Sequence, residues 1–186
     1  RQIASLGANT IRVYHVPPRE LLDLAHGCGL KVFVDVPWSK HRCFLESPED
    51  EESGRRAVRE AARTCKGHPA LLALSVVNEV PADVVRWLGP ERVERFIDEL
   101  VAIAHEEDPE VLVTFASFPP TEYLHPSAVD FHTMNVYLHK REKFNSYLQR
   151  LQNLADEKPL LLGEYGIDSI RNGEEEQATL LGMHLE

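Results

Sequence analysis

The chain has 186 residues, of which 43% are hydrophobic and 27% are charged, and this composition is typical of a globular protein with a real core. Its 30 acidic and 20 basic residues give a formal net charge of -10, which disfavours nucleic acid and anionic membrane surfaces as partners. No apolar run reaches the roughly 18 residues that a membrane span requires. A soluble domain with an uncharged ligand is therefore expected.

The cysteines do not have the spacing of a disulfide framework or a zinc site. Cys28, Cys43 and Cys65 form neither a CxxC pair nor an even set, so we expect free thiols, which favour a cytoplasmic location. His41 lies near Cys43 in KHRCF and His15 can approach them, but no HExxH or CxxC spacing supports a ligand set. We expect no metal and no other cofactor.

Apolar runs alternate with amphipathic stretches along the chain, which predicts strand and helix units on a parallel sheet. The opening RQIASLG is predicted to be the last turns of a helix closed by Gly7, so the chain is expected to be a fragment of a larger protein. Six strands are predicted near 10–16, 31–38, 71–80, 111–117, 129–138 and 159–166. Helices are predicted within 18–30, 52–65, 91–107, 141–157 and 173–186, with the acidic run at 46–53 as a solvated loop.

Continuously apolar strands imply cover on both faces of the sheet, as in an open doubly wound sheet or a (β/α)8 barrel. Polar or aromatic residues follow strand after strand, and strand ends converge on one mouth in a barrel. No GxGxxG or GxxxxGK[ST] nucleotide motif is present. The prediction is an α/β fold, a (β/α)8 TIM barrel truncated to strands two to seven, as one domain over residues 1–186. Its outer strands would be exposed edges that permit self-association.

Two glutamates stand at the ends of apolar strands, Glu79 in LLALSVVNEV and Glu164 in LLLGEYG. Paired carboxylates suit glycoside hydrolysis, in which one acid protonates the leaving oxygen and the other carboxylate attacks the anomeric carbon. By strand position, Arg12 and Tyr137 are expected to be neighbours of this pair. Taken singly, Glu79 fits a helix N-terminal or salt-bridge role as well as a catalytic one, and a structural ion pair is the lesser alternative for Arg12. Trp38 fits either a sugar-stacking ring or a plug at the barrel end.

The strand-end motifs NEV, NVY and GEYG resemble the signature of clan A glycoside hydrolases. The segment LGANTIRVYHVPPRELLDLAHGCGLKVFVDVPW is similar to the catalytic barrel of family 2 glycosidases, the β-galactosidase, β-glucuronidase and β-mannosidase group. The resemblance implies that Glu79 is the general acid/base and Glu164 the nucleophile. It also implies that Asn78 binds the sugar 2-hydroxyl, that Tyr137 donates to the nucleophile, and that Arg12 lies beneath the same carboxylate. Asn135, Trp38 and His15 complete the candidate substrate-binding or supporting residues.

The resemblance implies a retaining hydrolase of β-linked sugars in an oligo- or polysaccharide, with two carboxyl groups about 5 to 5.5 Å apart. Two alternatives remain open at this stage. Transglycosylation uses the same residues, with a sugar hydroxyl in place of water. A non-catalytic carbohydrate-binding barrel attached to a polysaccharide-processing glycosyltransferase is the other. The resemblance to the clan also implies an aromatic platform for the sugar on the eighth strand, for which we expect no counterpart among the six predicted strands.

Overall fold

The computed structural model describes residues 1–185, in which six parallel strands form one sheet in chain order. They are β1 (Thr10–Val13), β2 (Lys31–Asp35), β3 (Leu71–Asn78), β4 (Leu112–Ser117), β5 (His132–Val136) and β6 (Leu160–Tyr165). Each strand pairs in parallel with the next one along the chain. This winding is that of a (β/α)8 barrel, and it confirms the predicted truncated barrel.

Helices connect the strands and cover the outer side of the sheet. They are α1 (Gln2–Ser5), α2 (Arg19–Gly27), α3 (Pro48–Cys65), α4 (Ala82–Leu88), α5 (Pro90–Glu107), α6 (Arg141–Ala155), α7 (Ser169–Asn172) and α8 (Glu174–Leu185). Between β4 and β5 the described chain has only a short 3-10 turn, Pro119–Thr121. Residue 186, which the sequence assigned to the last helix, lies outside the described residues.

The prediction of a solvated loop over 46–53 is wrong, because α3 begins at Pro48. The Ser47 hydroxyl caps this helix by accepting from the Asp50 backbone N–H at 3.2 Å. Proline is favoured at the first helical position, and acidic side chains in the first turn interact favourably with the helix dipole. The acidic run therefore stabilises a helix N-terminus.

The strand ladders are shorter than the apolar runs that predicted them. β1 ends at Val13, so Tyr14 and His15 lie beyond the strand. β5 begins at His132 because the residues before it make a different contact, in which the Asp130 carboxylate accepts from the Val113 N–H at 2.6 Å. Tyr14 is therefore held by side-chain contacts instead of the ladder.

The main core lies between the sheet and its helical cover, and it is densest over the inner strands. Its largest fully buried members are Phe44, Leu22, Leu74, Ile97 and Leu100. A smaller cluster joins β5 to α6 through Met134, Val136, Phe144 and Leu151. The outer strands β1 and β6 are only half-buried. Within the described chain, no helix combines the length and apolar character that crossing a membrane demands.

Candidate active site

Glu79 has an unusual backbone conformation at the end of β3. Its φ of 52° lies in the left-handed region that residues other than glycine rarely adopt. Its N–H donates to the Ala116 carbonyl at 2.7 Å, and the β3–β4 register shifts between Ser75 and Asn78. Bulges and strained residues of this kind redirect side chains and are concentrated near functional sites. In this conformation Asn78 and Glu79 both accept hydrogen bonds from the Asn135 side chain in β5.

Arg12 orders the candidate site from the end of β1. Its guanidinium holds Asp35 in a two-point pair, with Nε–Oδ2 at 2.5 Å and Nη2–Oδ1 at 3.0 Å. Nη2 also donates to Asn78 Oδ1 at 3.1 Å, and Nη1 donates to Asn135 Oδ1 at 3.0 Å. Nη1 lies 3.2 Å from Glu164 Oε1. The planar fork of one arginine thus contacts the ends of β2, β3, β5 and β6.

The Arg12–Asp35 pair is largely removed from water, since the two side chains are only 11% and 4% exposed. Burial disfavours the cation, but the hydrogen bond and the charge of Asp35 more than offset it, so the pKa of Arg12 is raised. The guanidinium therefore remains a cation, and its carboxylate partner holds its orientation.

Glu164 accepts two hydrogen bonds and lies beside one cation. The Tyr14 hydroxyl donates to Oε1 at 2.8 Å, the Tyr137 hydroxyl donates to Oε2 at 2.6 Å, and Arg12 approaches Oε1. Burial and the hydrogen bond to Glu164 raise the pKa of Tyr14 to about 12, and the same causes raise the pKa of Tyr137. Both hydroxyls are therefore protonated donors at neutral pH.

Asn135 connects the two glutamates. This side chain is 1% exposed, and its Nδ2 donates to Glu79 Oε1 at 2.6 Å and to Asn78 Oδ1 at 3.0 Å. Its Oδ1 accepts from Arg12, which in turn contacts Glu164. One amide and one guanidinium therefore link the two carboxylates in a single network of hydrogen bonds and one ion pair.

Gly163 is a site residue that the sequence analysis missed. A Cβ at this position would lie 2.6 Å from Arg12 Nη1, 2.7 Å from Thr133 Cγ2 and 2.8 Å from Asn135 Oδ1. The absence of a side chain lets Arg12 and Asn135 pack directly against β6. The only sequence signal was a glycine inside an apolar strand, immediately before Glu164.

A cavity of about 220 Å³ adjoins this network. It is lined by Tyr14, Asp35, Val36, Pro37, Trp38, Lys40, His41 and Asn78. Lys40 is half-buried, and burial lowers its pKa although Glu79 and Asp35 act in the opposite direction. The cavity therefore places polar groups beside the ends of β1, β2 and β3.

Trp38 lines this cavity, but its ring is also fixed in the core. Its Nε1 donates to the Val76 carbonyl at 2.7 Å, and the ring packs edge-on against Phe44 and Phe96 at 5.0 and 5.8 Å. This packing favours the barrel-plug interpretation over a sugar-stacking platform. His15 is exposed and has no hydrogen bond to another side chain within residues 1–185.

Six of the eight candidate residues thus share one network, and the structure adds three more. The six are Arg12, Asn78, Glu79, Asn135, Tyr137 and Glu164. Tyr14 and Asp35 are hydrogen-bonded members of the network, and Gly163 packs against it. No group of three or more His, Cys, Asp or Glu side chains suited to a metal ion occurs in the part of the chain that the structure describes.

The fold is similar to several solved β-glucuronidases. Bacteroides uniformis β-glucuronidase matches with a TM-score of 0.83 and 20% identity over 98% of this chain and 25% of that protein. A Ruminococcus gnavus β-glucuronidase in complex with D-glucuronic acid matches with a TM-score of 0.80 and 21% identity over 98% of this chain and 34% of that protein. The chain therefore spans between a quarter and about a third of the length of these proteins.

Bacteroides uniformis β-glucuronidase 2, covalently bound to cyclophellitol-6-carboxylate aziridine, matches with a TM-score of 0.83 and 20% identity over 98% of this chain and 25% of that protein. A comparison with curated proteins found no match. At these identities the structural likeness establishes the fold. The family of glycosyl hydrolases described as family 2, TIM barrel domain, matches residues 2–183. Because that match covers nearly the whole chain, the chain belongs to glycoside hydrolase family 2, within its TIM barrel domain.

Proposed function

We propose that this barrel is the catalytic part of a larger retaining β-glycosidase, with Glu164 as nucleophile and Glu79 as general acid/base. The supporting observation is the shared network, in which Asn135 donates to Glu79 and accepts from Arg12, which contacts Glu164. A pair of carboxylates flanking one site is what this reaction requires. The proposed substrate is a β-linked sugar of an oligo- or polysaccharide.

The different surroundings of the two glutamates support different roles. An ionised carboxylate only accepts hydrogen bonds, and the two hydroxyls and the cation around Glu164 suit that form. Glu79 accepts from one neutral amide, on Oε1. Among the described residues its Oε2 has no partner, so this oxygen is available to carry or release a proton.

In the proposed first step Glu164 attacks the anomeric carbon while Glu79 gives its proton to the leaving oxygen. A glycosyl ester on Glu164 results. In the second step Glu79 takes a proton from water, the water oxygen bonds to the anomeric carbon, and Glu164 leaves as a carboxylate. Two inversions give net retention.

Asn78 is available to orient the sugar. Its amide oxygen accepts from Arg12 and Asn135, which fixes the plane of the amide. Its Nδ2 has no hydrogen-bond partner among the described residues and can donate to a ligand. We assign this donor to the sugar 2-hydroxyl, a contact that strengthens as the ring approaches the oxocarbenium ion.

The test uses 2,4-dinitrophenyl β-glucuronide, β-galactoside and β-mannoside as substrates. Glu164→Ala should abolish turnover, and added azide should restore it with an inverted α-glycosyl azide as product. Glu79→Ala should still turn over these activated substrates but lose alkyl glycosides, because a poor leaving group needs the acid. Glu110→Ala, at an exposed position remote from the network, is the matched control and should behave as wild type.

Normal activity of Glu164→Ala would refute the assignment, as would a wild-type protein that cleaves none of the three glycosides. An added sugar acceptor separates hydrolysis from transglycosylation. Free sugar as the only product is the expected result, and a transfer product would favour the alternative.

A further inference from the structure

The two oxygens of Glu164 have different surroundings. Oε1 accepts from the Tyr14 hydroxyl at 2.8 Å and lies 3.2 Å from Arg12 Nη1. Oε2 accepts from Tyr137 alone, at 2.6 Å. Oε1 thus has one hydrogen bond and the guanidinium beside it, whereas Oε2 has one hydrogen bond and no neighbouring cation, which leaves a lone-pair site of Oε2 open. The geometry therefore favours Oε2 as the atom that attacks, with Oε1 as the oxygen that becomes the ester carbonyl.

Tyr14 contacts Glu164 from the opposite edge of the sheet. It follows β1, whereas Glu164 lies in β6, and these are the two outer strands. The Arg12 guanidinium lies over the Tyr14 ring at 4.9 Å from the centroid. The ring is half exposed and lines the cavity that also contains Asn78. Its hydroxyl therefore reaches the carboxylate at the edge of the space that a sugar would enter.

We infer that Tyr14 is a second hydrogen-bond donor to the nucleophile. By holding Oε1, Tyr14 speeds the breakdown of the glycosyl-enzyme. This inference rests on the proposed function. It adds a residue to the reaction, because the family motifs point to Tyr137 for the contact with this carboxylate.

The reason is how charge moves on Glu164 during the reaction. When the bond between Oε2 and the anomeric carbon forms and the glycosidic bond breaks, the leaving oxygen takes a proton from Glu79 and Oε1 becomes a neutral ester carbonyl. When water replaces the enzyme, its proton passes to Glu79 and the electron pair of the broken ester bond returns to the carboxylate. Hydrogen bonds to charged acceptors are stronger than those to neutral ones. The Tyr14 contact therefore strengthens as the ester breaks.

The experiment separates the two steps with 2-deoxy-2-fluoroglycosyl fluorides of the sugar that wild type cleaves. The rate of inactivation reports ester formation, and the rate of reactivation after removal of excess reagent reports ester breakdown. Tyr14→Phe keeps the ring over Arg12 and removes only the hydroxyl. Its reactivation should be slower by about tenfold, the size expected for one hydrogen bond to a charged group, while inactivation is unchanged or faster.

Tyr123→Phe is the control, because Tyr123 is exposed and its hydroxyl has no hydrogen-bond partner among the described residues. It should match wild type in both rates. Equal slowing of both steps in Tyr14→Phe, or no change in reactivation, would overturn the inference.

If Tyr14→Phe fails to fold, Tyr14→3-fluorotyrosine replaces it. The more acidic hydroxyl of this variant should make reactivation faster than in wild type. An unchanged or slower rate would count against Tyr14. If the wild-type protein never forms the ester, the proposed function is refuted, and the proposed role of Tyr14 is refuted with it.

Discussion

Arg12 is the residue on which the candidate site depends most, because its guanidinium contacts side chains from four other strands. The buried pair with Asp35 fixes the plane of the guanidinium, and the remaining N–H groups then align Asn78, Asn135 and Glu164. Breaking a buried ion pair leaves an uncompensated charge, which is far more costly than losing an exposed one. Asp35 is thus a structural support of the site that does not itself contact either glutamate.

Gly163 gives a prediction at the same scale. Gly163→Ala should displace Arg12 and Asn135, because the new methyl group would lie 2.6 Å from Arg12 Nη1 and 2.8 Å from Asn135 Oδ1. Overpacking of this kind lowers the free energy of unfolding by about 1–3 kcal/mol. Misplacement of reacting groups by about 1 Å can reduce kcat/KM roughly 100-fold. Urea unfolding and glycoside turnover measure the two effects.

Gly27→Ala is the matched control for that substitution. Gly27 lies in α2, and a Cβ there meets no heavy atom within 4 Å. The free energy of unfolding of Gly27→Ala should stay within about 1 kcal/mol of wild type, or rise, because alanine favours the helix. Equal stability and turnover in Gly163→Ala and Gly27→Ala would show that the close packing at Gly163 has no role.

At the scale of elements, the N-terminus of α3 depends on one hydroxyl. Ser47→Ala removes the acceptor for the Asp50 N–H and should lower the free energy of unfolding by about 1 kcal/mol. Ser53→Ala, inside the same helix, should leave it unchanged or raise it by a few tenths of a kcal/mol. Urea denaturation compares them, and a smaller loss in Ser47→Ala than in Ser53→Ala would contradict the observed helix start.

Helix α6 is joined to the β4–β5 connection through Glu122, whose carboxylate accepts from Arg150 Nη2 and from the Tyr147 hydroxyl, each at 2.6 Å. The Arg150 hydrogen bond, with a smaller contribution from Tyr147, lowers the pKa of Glu122 below 4.5 although burial opposes it. A depressed carboxyl pKa contributes stability that is present above 4.5 and is lost as the pH falls through the lower folded value.

Glu122→Gln should therefore be less stable than wild type at pH 7, and the difference should shrink steadily below pH 4.5. Urea unfolding between pH 7 and pH 3 measures this difference. Glu110→Gln, at an exposed position without a side-chain partner among the described residues, should show no such trend. A Glu122→Gln deficit that is constant with pH would exclude the ionic contribution.

At the scale of the whole molecule, the sheet has two open sides. Within residues 1–185, β1 pairs only with β2 and β6 only with β5. Unpaired strand edges are templates for pairing with another chain, so we expect the isolated chain to self-associate as its concentration rises. Light scattering over a concentration series measures the degree of self-association.

Thr10→Lys places a charge on the β1 edge and should reduce association, whereas Thr179→Lys adds the same charge on α8 and should not. A strictly monomeric wild type would contradict the expectation.

Much of the architecture could be predicted because it depends on local pattern. The six apolar runs gave strand positions to within a few residues, and glycine stops marked the ends of α1 and α2, where Gly7 and Gly29 have φ of 86° and 72°. The predicted start of α3 was wrong because the prediction rested on the charge of the acidic run. The capping residue Ser47 and the proline after it were the signals that a helix begins there. Helix α4 was also missed; it is a short element whose pattern spans only seven residues.

The contacts within the site depend on residues far apart in the chain, which no local pattern encodes. Tyr14 and Glu164 are separated by 150 positions and Arg12 and Asn135 by 123, yet each pair is hydrogen bonded. The strand-end rule brought the correct ends together, but it did not specify which donor meets which oxygen. Trp38 and His15 obey the same rule, although one packs in the core and the other is exposed.

The nucleophile is identified by the residue that becomes covalently bound to the sugar. Wild type is treated with the 2-deoxy-2-fluoroglycosyl fluoride of an accepted sugar and digested with pepsin, and its peptides are sequenced by mass spectrometry. We expect one added glycosyl group on Glu164, in the peptide that contains LLLGEYG. A label on Glu79 or on any other residue, or cleavage of the parent glycoside without a covalent intermediate, would contradict it.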